Sequence, residues 1–163
     1  SIKDGKIPNA LSTEHLSAQI NLTSPALIPE KYIEDVHTRL TLYKRIASAR
    51  NSYTLRELQV ELIDRFGLLE PATQQLFACA ELRLMAEQIG IKKIDLHDTG
   101  GRISFSAKPN IDPFTIIQLI QKNPKVYAME GPDKLKILNK TENGEQRAIF
   151  MRALLTLLGA KST

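Results

Sequence analysis

The sequence predicts an α+β fold: a short N-terminal strand and three helices, followed by a half that contains a sheet. Two observations carry that expectation. Apolar residues recur at helical spacing up to about residue 90 and then switch to alternation, the period of a strand. Beyond the switch, a hairpin followed by a helix occurs twice. The order β-β-α-β-β-α implies a four-stranded antiparallel sheet with helices on one face. Composition allows this: 163 residues suit one domain, and 42% hydrophobic residues can fill a core. With 6% aromatics and no Trp, that core must be aliphatic.

Residues 1–30 read as a connector with one short strand. Gly5, Pro8, Pro25 and Pro29 punctuate it, and in AQINLTS Ile20 and Leu22 point one way while Asn21 and Thr23 point the other. Residues 31–163 form the domain proper, helical over about 31–90 and sheet-containing over about 91–160. The first helix is expected over 32–49, with Val36, Leu40, Tyr43 and Ala47 inward and Ile33 and Ile46 beside them. Asn51 and Ser52 interrupt the pattern. Thr54 then offers an N-cap with Glu57 three residues on, the capping-box order, and the second helix runs to a stop at Gly67. Pro71 suits the first turn of a third helix, which continues through Leu76, Ala80 and Leu84 to Ile89 and stops at Gly90.

Ile91, Ile94 and Leu96, then Ile103 and Phe105, flank the turn HDTGGR as a hairpin. Asp112-Pro113 opens a fourth helix through Ile116, Ile117, Leu119 and Ile120. VYAM and KLKIL around EGPD (130–133) make a second hairpin. The last helix covers about 144–158, with Ile149, Leu154, Leu155 and Leu158 inward.

Charge is distributed unevenly. The net charge is +4, yet residues 51–90 carry 3 basic and 6 acidic side chains, against 7 and 5 before them and 12 and 7 after. A basic balance permits contact with nucleic acid or another anionic partner, but an acidic middle does not suit a uniform phosphate-binding surface. Cys79 is alone, so no internal disulfide can form; its apolar neighbours fit buried helix packing in a reduced, cytoplasmic protein. No apolar run approaches the roughly 18 residues of a membrane span, and no signal peptide opens the chain. Ser1 in place of Met suggests a piece of a longer polypeptide.

The segment VELIDRFG (60–67) holds the most informative pattern. On a helix, Glu57, Glu61 and Asp64 fall within about 60° of one another at 100° per residue. Leu55, Leu58, Leu62 and Phe66 take the opposite side, and Val60 stands beside the acidic stripe. One reading is a solvated surface with a Glu61–Arg65 pair at i,i+4, worth a few tenths of a kcal/mol. Glu57 and Glu61 are like charges at the same spacing, so local stability does not explain the stripe. The other reading is a docking face for arginines of a partner, with Val60 as its dry centre.

Other candidates are weaker. GAKST (159–163) has the end of a phosphate-binding loop without its first glycine or a following helix. Asp95, His97 and Asp98 precede a turn and lack a fourth metal ligand; His15 and His37 have no partner residues. No catalytic constellation, cofactor site or metal site is expected. Lys44, Arg45 and Arg50 make one basic edge, and Lys92, Lys93, Lys134 and Lys136 another. Without interleaved aromatics these read as solvated surfaces, an accessory nucleic-acid-binding face being the alternative.

The segments DVHTRLTLYKRIASA (35–49), VELIDRFGLLEP (60–71), GIKKI (90–94) and GPDKLKIL (131–138) resemble the C-terminal domain of the bacterial transcription-repair coupling factors, the Mfd family. The resemblance spans about residues 17–158. It implies a non-catalytic regulatory domain of an ATP-dependent DNA translocase that removes stalled RNA polymerase and recruits excision repair. In that family this domain masks the module that binds the repair ATPase UvrA, through acidic residues of the VELID segment. Residue by residue, the role falls here on Glu61 and Asp64; Glu57 joins them by helix geometry, and Val60 as their apolar neighbour. UvrA, RNA polymerase and DNA would be reached through the parent protein, whose ATP-binding and DExx-box segments are not in this chain. Nothing is carried onto 159–163.

Overall fold

The computed structural model describes residues 17–161. The connector's first sixteen residues, His15 among them, and the last two residues of GAKST lie outside the described residues.

Among the described residues five strands form one sheet: β1 Gln19–Asn21, β2 Ile91–His97, β3 Gly100–Phe105, β4 Tyr127–Met129 and β5 Lys134–Leu138, in the order β1-β2-β3-β5-β4. The α+β class stands, but the sheet is five-stranded and mixed where four antiparallel strands were expected. The two hairpin pairs and β3–β5 are antiparallel, whereas β1 runs parallel to β2, with Ile20 opposite Ile94. The strand signal around Ile20 was local; its partner lies some seventy residues on, which alternation alone cannot reveal. Ala18 and Leu22 turn inward, and the backbone between them satisfies the free edge of β2.

Among the described residues five helices accompany the sheet: α1 Val36–Ser48, α2 Ser52–Phe66, α3 Pro71–Gln88, α4 Pro113–Lys122 and α5 Gly144–Leu157. The first begins later than expected. Asp35 caps it by accepting from the Thr38 amide at 2.9 Å, and Ile33 sits in a preceding turn closed onto the Pro29 carbonyl at 3.1 Å. Its inward face is Leu42 and Ile46, continued by Ala49, while Val36, Leu40 and Ala47 face out. Both stripes have helical spacing, and packing against α3 selects the second. Tyr43 lies between them, half-buried, its hydroxyl accepting from the Ile28 amide at 2.7 Å.

In α2 the cap is Asn51, not Thr54. Asn51 Oδ1 accepts from both the amide (2.8 Å) and the hydroxyl (2.9 Å) of Thr54. An asparagine three residues upstream satisfies the same orphan donors, so the helix gains most of a turn. It stops at Gly67, whose φ of 92° is costly for any residue with a Cβ. In α5, Ile149 is exposed, and Arg147 and Met151 occupy inward positions with Leu154 and Leu155. Residues 147, 151, 154, 155 and 158 share one face at helical spacing; an arginine within it disguised the true stripe.

Two cores result. Ile94, Leu96, Ile103, Leu135 and Ile137 from the sheet pack with Met151, Leu154 and Leu155 of α5. Leu42, Ile46, Leu55, Leu58 and Leu62 pack among the first helices. Helix α3 serves both, sending Phe77, Ala80 and Leu84 into the helical core and Leu82, Met85 and Ala86 into the sheet core. Cys79 on the same helix is half-buried against the sheet core, and burial pushes its thiol up to about 11.

Candidate functional site

Leu55, Leu58 and Leu62 anchor α2 to the helical core, and this rotation decides where the acidic residues point. Tyr53, Glu57, Val60 and Asp64 form one outward stripe, all exposed, with Val60 at 58% and Tyr53 at 59% of full accessibility. No ion pair joins Asp64 to another described residue. The Tyr53 hydroxyl bonds to Glu57, and that bond raises the phenol above its ordinary range. Val60 is therefore an uncovered apolar centre between two exposed carboxylates.

Glu61 differs. It sits at the boundary between the stripe and the core, facing the last turn of α1. Arg45 grips it with both nitrogens, Nη1 to Oε2 and Nη2 to Oε1, each at 2.8 Å. Arg65 adds a third contact, Nη1 to Oε2 at 3.0 Å. The Arg45 hydrogen bonds, ahead of those from Arg65, hold the Glu61 carboxyl down at about 2. The i,i+4 pair with Arg65 is present, but the stronger partner comes from another helix. The three acids are therefore not equivalent: Glu57 and Asp64 are presented to solvent, and Glu61 is already engaged by cations of its own domain. Arg65 also lies 4.8 Å from the Phe66 ring centroid, and Phe66 meets Tyr32 edge-on.

Arg45 as the partner of Glu61 was missed in the sequence, where it read as part of a solvated basic edge with Lys44 and Arg50. No local signal marked it: Arg45 and Glu61 lie 16 positions apart on consecutive helices, and which of their residues meet depends on how those helices cross. A cleft of about 480 Å³ opens there, with Arg45 and Ser48 on one wall and Glu57 and Glu61 on the other.

On the open sheet face Lys93 meets Asp95 at 3.5 Å, Arg102 grips Glu130 at 2.8 and 3.3 Å, and Lys134 meets Asp133 at 3.7 Å. Lys93, Lys134 and Arg102 are thus answered within the domain, whereas Lys92 and Lys136 meet no carboxylate among the described residues. His97 lies 3.7 Å from Asp98 and 3.0 Å from the Thr99 hydroxyl, a turn arrangement, while Asp95 is drawn to Lys93. Among the described residues no three His, Cys, Asp or Glu gather as a metal site. A larger cleft, about 760 Å³, lies between α3 and α5, and the cation on its rim, Arg152, is tied to Glu81 at 2.7 Å. No helix among the described residues is long and apolar enough to cross a membrane.

Residues 22–116 match the family described as the TRCF domain. The chain is 44% identical over 160 residues to the transcription-repair-coupling factor of Haemophilus influenzae, covering 98% of this chain and 14% of that protein. It is 37% identical over 155 residues to the Escherichia coli K12 protein of the same name, covering 95% and 14%. Against the Bacillus subtilis protein the identity is 33% over 134 residues, covering 80% and 11%. The chain thus spans 14% of the length of the first two relatives. Among solved structures it resembles a crystal structure of the C-terminal domain of a transcription-repair coupling factor, with a TM-score of 0.69 at 21% identity over 87% of this chain and 94% of that one. At that identity the likeness establishes the fold.

Proposed function

The chain belongs to the transcription-repair coupling factor family, and on that premise we propose that it is a non-catalytic regulatory domain that docks onto the UvrA-binding module of its parent protein. The parent would be a cytoplasmic, ATP-dependent DNA translocase that clears stalled RNA polymerase and recruits excision repair. The domain would meet UvrA, RNA polymerase and DNA only through that parent. One observation carries the reading: the exposed stripe Glu57–Val60–Asp64 on α2 offers two solvated carboxylates around an uncovered apolar side chain. Glu61 belongs to this contact as a reserve acid, since Arg45 and Arg65 hold it in the undocked domain.

Such a surface suits a contact that must release. Exposed ion pairs contribute roughly 0.2–1 kcal/mol each. Covering Val60 adds about 25 cal/mol for each Å² of apolar surface removed from water. A sum of small terms can be overturned by a ligand with modest preference for the undocked state. The alternative, an accessory nucleic-acid-binding module on the basic strand face, has less support, because Lys93, Arg102 and Lys134 each meet a carboxylate.

Calorimetric titration of the chain with the separately purified UvrA-binding module tests the reading. The pair Glu57→Gln and Asp64→Asn should leave melting unchanged and weaken binding several-fold. Unchanged affinity would remove the stripe from the contact.

A further inference from the structure

We propose that Arg45 is an internal competitor for Glu61, so that docking proceeds by exchange of one guanidinium for another. The inference rests on the docking reading above and adds its regulation. A carboxylate has about four lone-pair positions, two on each oxygen. Arg45 takes one on Oε1 and one on Oε2, and Arg65 takes the second on Oε2. One position on Oε1 remains. A partner arginine can make a single bond there while Arg45 stays, but the stronger bidentate contact requires Arg45 to leave.

Charge points the same way. With Arg45 and Arg65 both on Glu61, the group carries a net positive charge and repels an approaching arginine. Once Arg45 swings away, Glu57, Glu61 and Asp64 face the partner with Arg65 as the remaining adjacent cation. Arg65 sits on the same helix as Glu61 and keeps its place through the exchange. Arg45 is on α1 and is half-exposed, so it can turn to water without disturbing the core residues Leu42 and Ile46. The acidic surface therefore has two settings, one in which Glu61 serves the α1–α2 packing and one in which it serves the partner.

The test is the affinity of the whole chain for the purified UvrA-binding module, native and variant, with melting followed alongside. Arg45→Gln should tighten binding about fivefold, the scale of one exposed ion pair. The gain should vanish in the double variant with Glu61→Gln. By itself, Glu61→Gln should change native binding less than twofold. Equal losses from Glu61→Gln in the native and Arg45→Gln backgrounds overturn the exchange, and this comparison holds even if Arg45→Gln loosens the α1–α2 contact. Unchanged or weaker binding by an Arg45→Gln chain that melts normally also overturns it. A native chain that binds through Asp64 but gains nothing from Arg45→Gln sinks the exchange alone; a native chain that does not bind the module sinks the docking reading and the exchange together.

Discussion

Arg147 Nη1 donates to the main-chain carbonyl of Leu22 at 3.0 Å, joining α5 to the end of β1 across 125 positions of sequence. The same nitrogen reaches the Thr23 carbonyl at 3.3 Å, and Nε donates to the Thr141 hydroxyl at 3.0 Å. The side chain is 6% exposed and is held by neutral oxygens alone. Thr23 has a left-handed backbone, φ 55°, steadied by its amide on Asn21 Oδ1 and its hydroxyl on the Leu96 carbonyl. The bend after β1 is thus fastened to β2 and to α5.

Arg147→Met keeps the aliphatic stem and removes the donors, leaving buried carbonyls unanswered. The expected loss is about 1–3 kcal/mol, read as a lower urea midpoint at constant slope. Amide exchange at Ile20 and Asn21 should quicken before the rest of the sheet. A variant as stable as the native chain would show that the clasp contributes nothing.

Glu61 predicts an acid limb in the stability profile. Its carboxyl falls from 4.5 to about 2 on folding, so the unfolded chain binds more protons between those values. The stabilisation is present above the unfolded value and is lost as pH drops from about 4.5 toward 2. Denaturant titrations across that window should slope upward with pH in the native chain and be flatter in Glu61→Gln. Parallel profiles would mean that the two arginines do not hold the acid in solution.

Gly101 and Gly67 separate cost by space from cost by conformation. A Cβ on Gly101 would run into the Asp95 carbonyl and lie 2.8 Å from Leu96 Cα on the neighbouring strand, backbone that cannot swing aside. Gly101→Ala should cost about 1–3 kcal/mol or more. A Cβ on Gly67 meets nothing within 4 Å, so Gly67→Ala should cost only the strain of a φ 92°, ψ −173° backbone that is essentially glycine's alone, about 1–3 kcal/mol. Thermal melts should show both variants less stable than the native chain, and a Gly101→Ala chain that melts normally would show that the neighbouring strand yields.

Cys79 should be sluggish toward thiol reagents. With its pKa near 11, little thiolate exists at pH 8, and half-burial hinders access. Native chain should react with Ellman's reagent well below the rate of a free thiol, and at the ordinary rate once unfolded in denaturant. Rapid native reaction would contradict the burial.

Local chemistry was legible where it decided the structure. Gly67, Pro71, Gly90 and Asp112-Pro113 mark helix ends found close to their expected places, because caps and turns act within a few residues. Three features escaped for one shared reason. The inward stripe of α1, the parallel pairing of β1 and the buried position of Arg147 all depend on partners distant in sequence. The acidic stripe was legible as geometry, since α2 is regular and its leucines fix the rotation. The state of Glu61 was not, because Arg45 reaches it from another helix.

Because α3 has two inward faces, neither half of the molecule owns it. A cut at Gly90 would leave one fragment with Leu82, Met85 and Ala86 in water and the other with a sheet lacking its lid. Heat or denaturant therefore has no seam to open first. The molecule should melt in one cooperative step, with the acidic helix and the distant hairpins lost together.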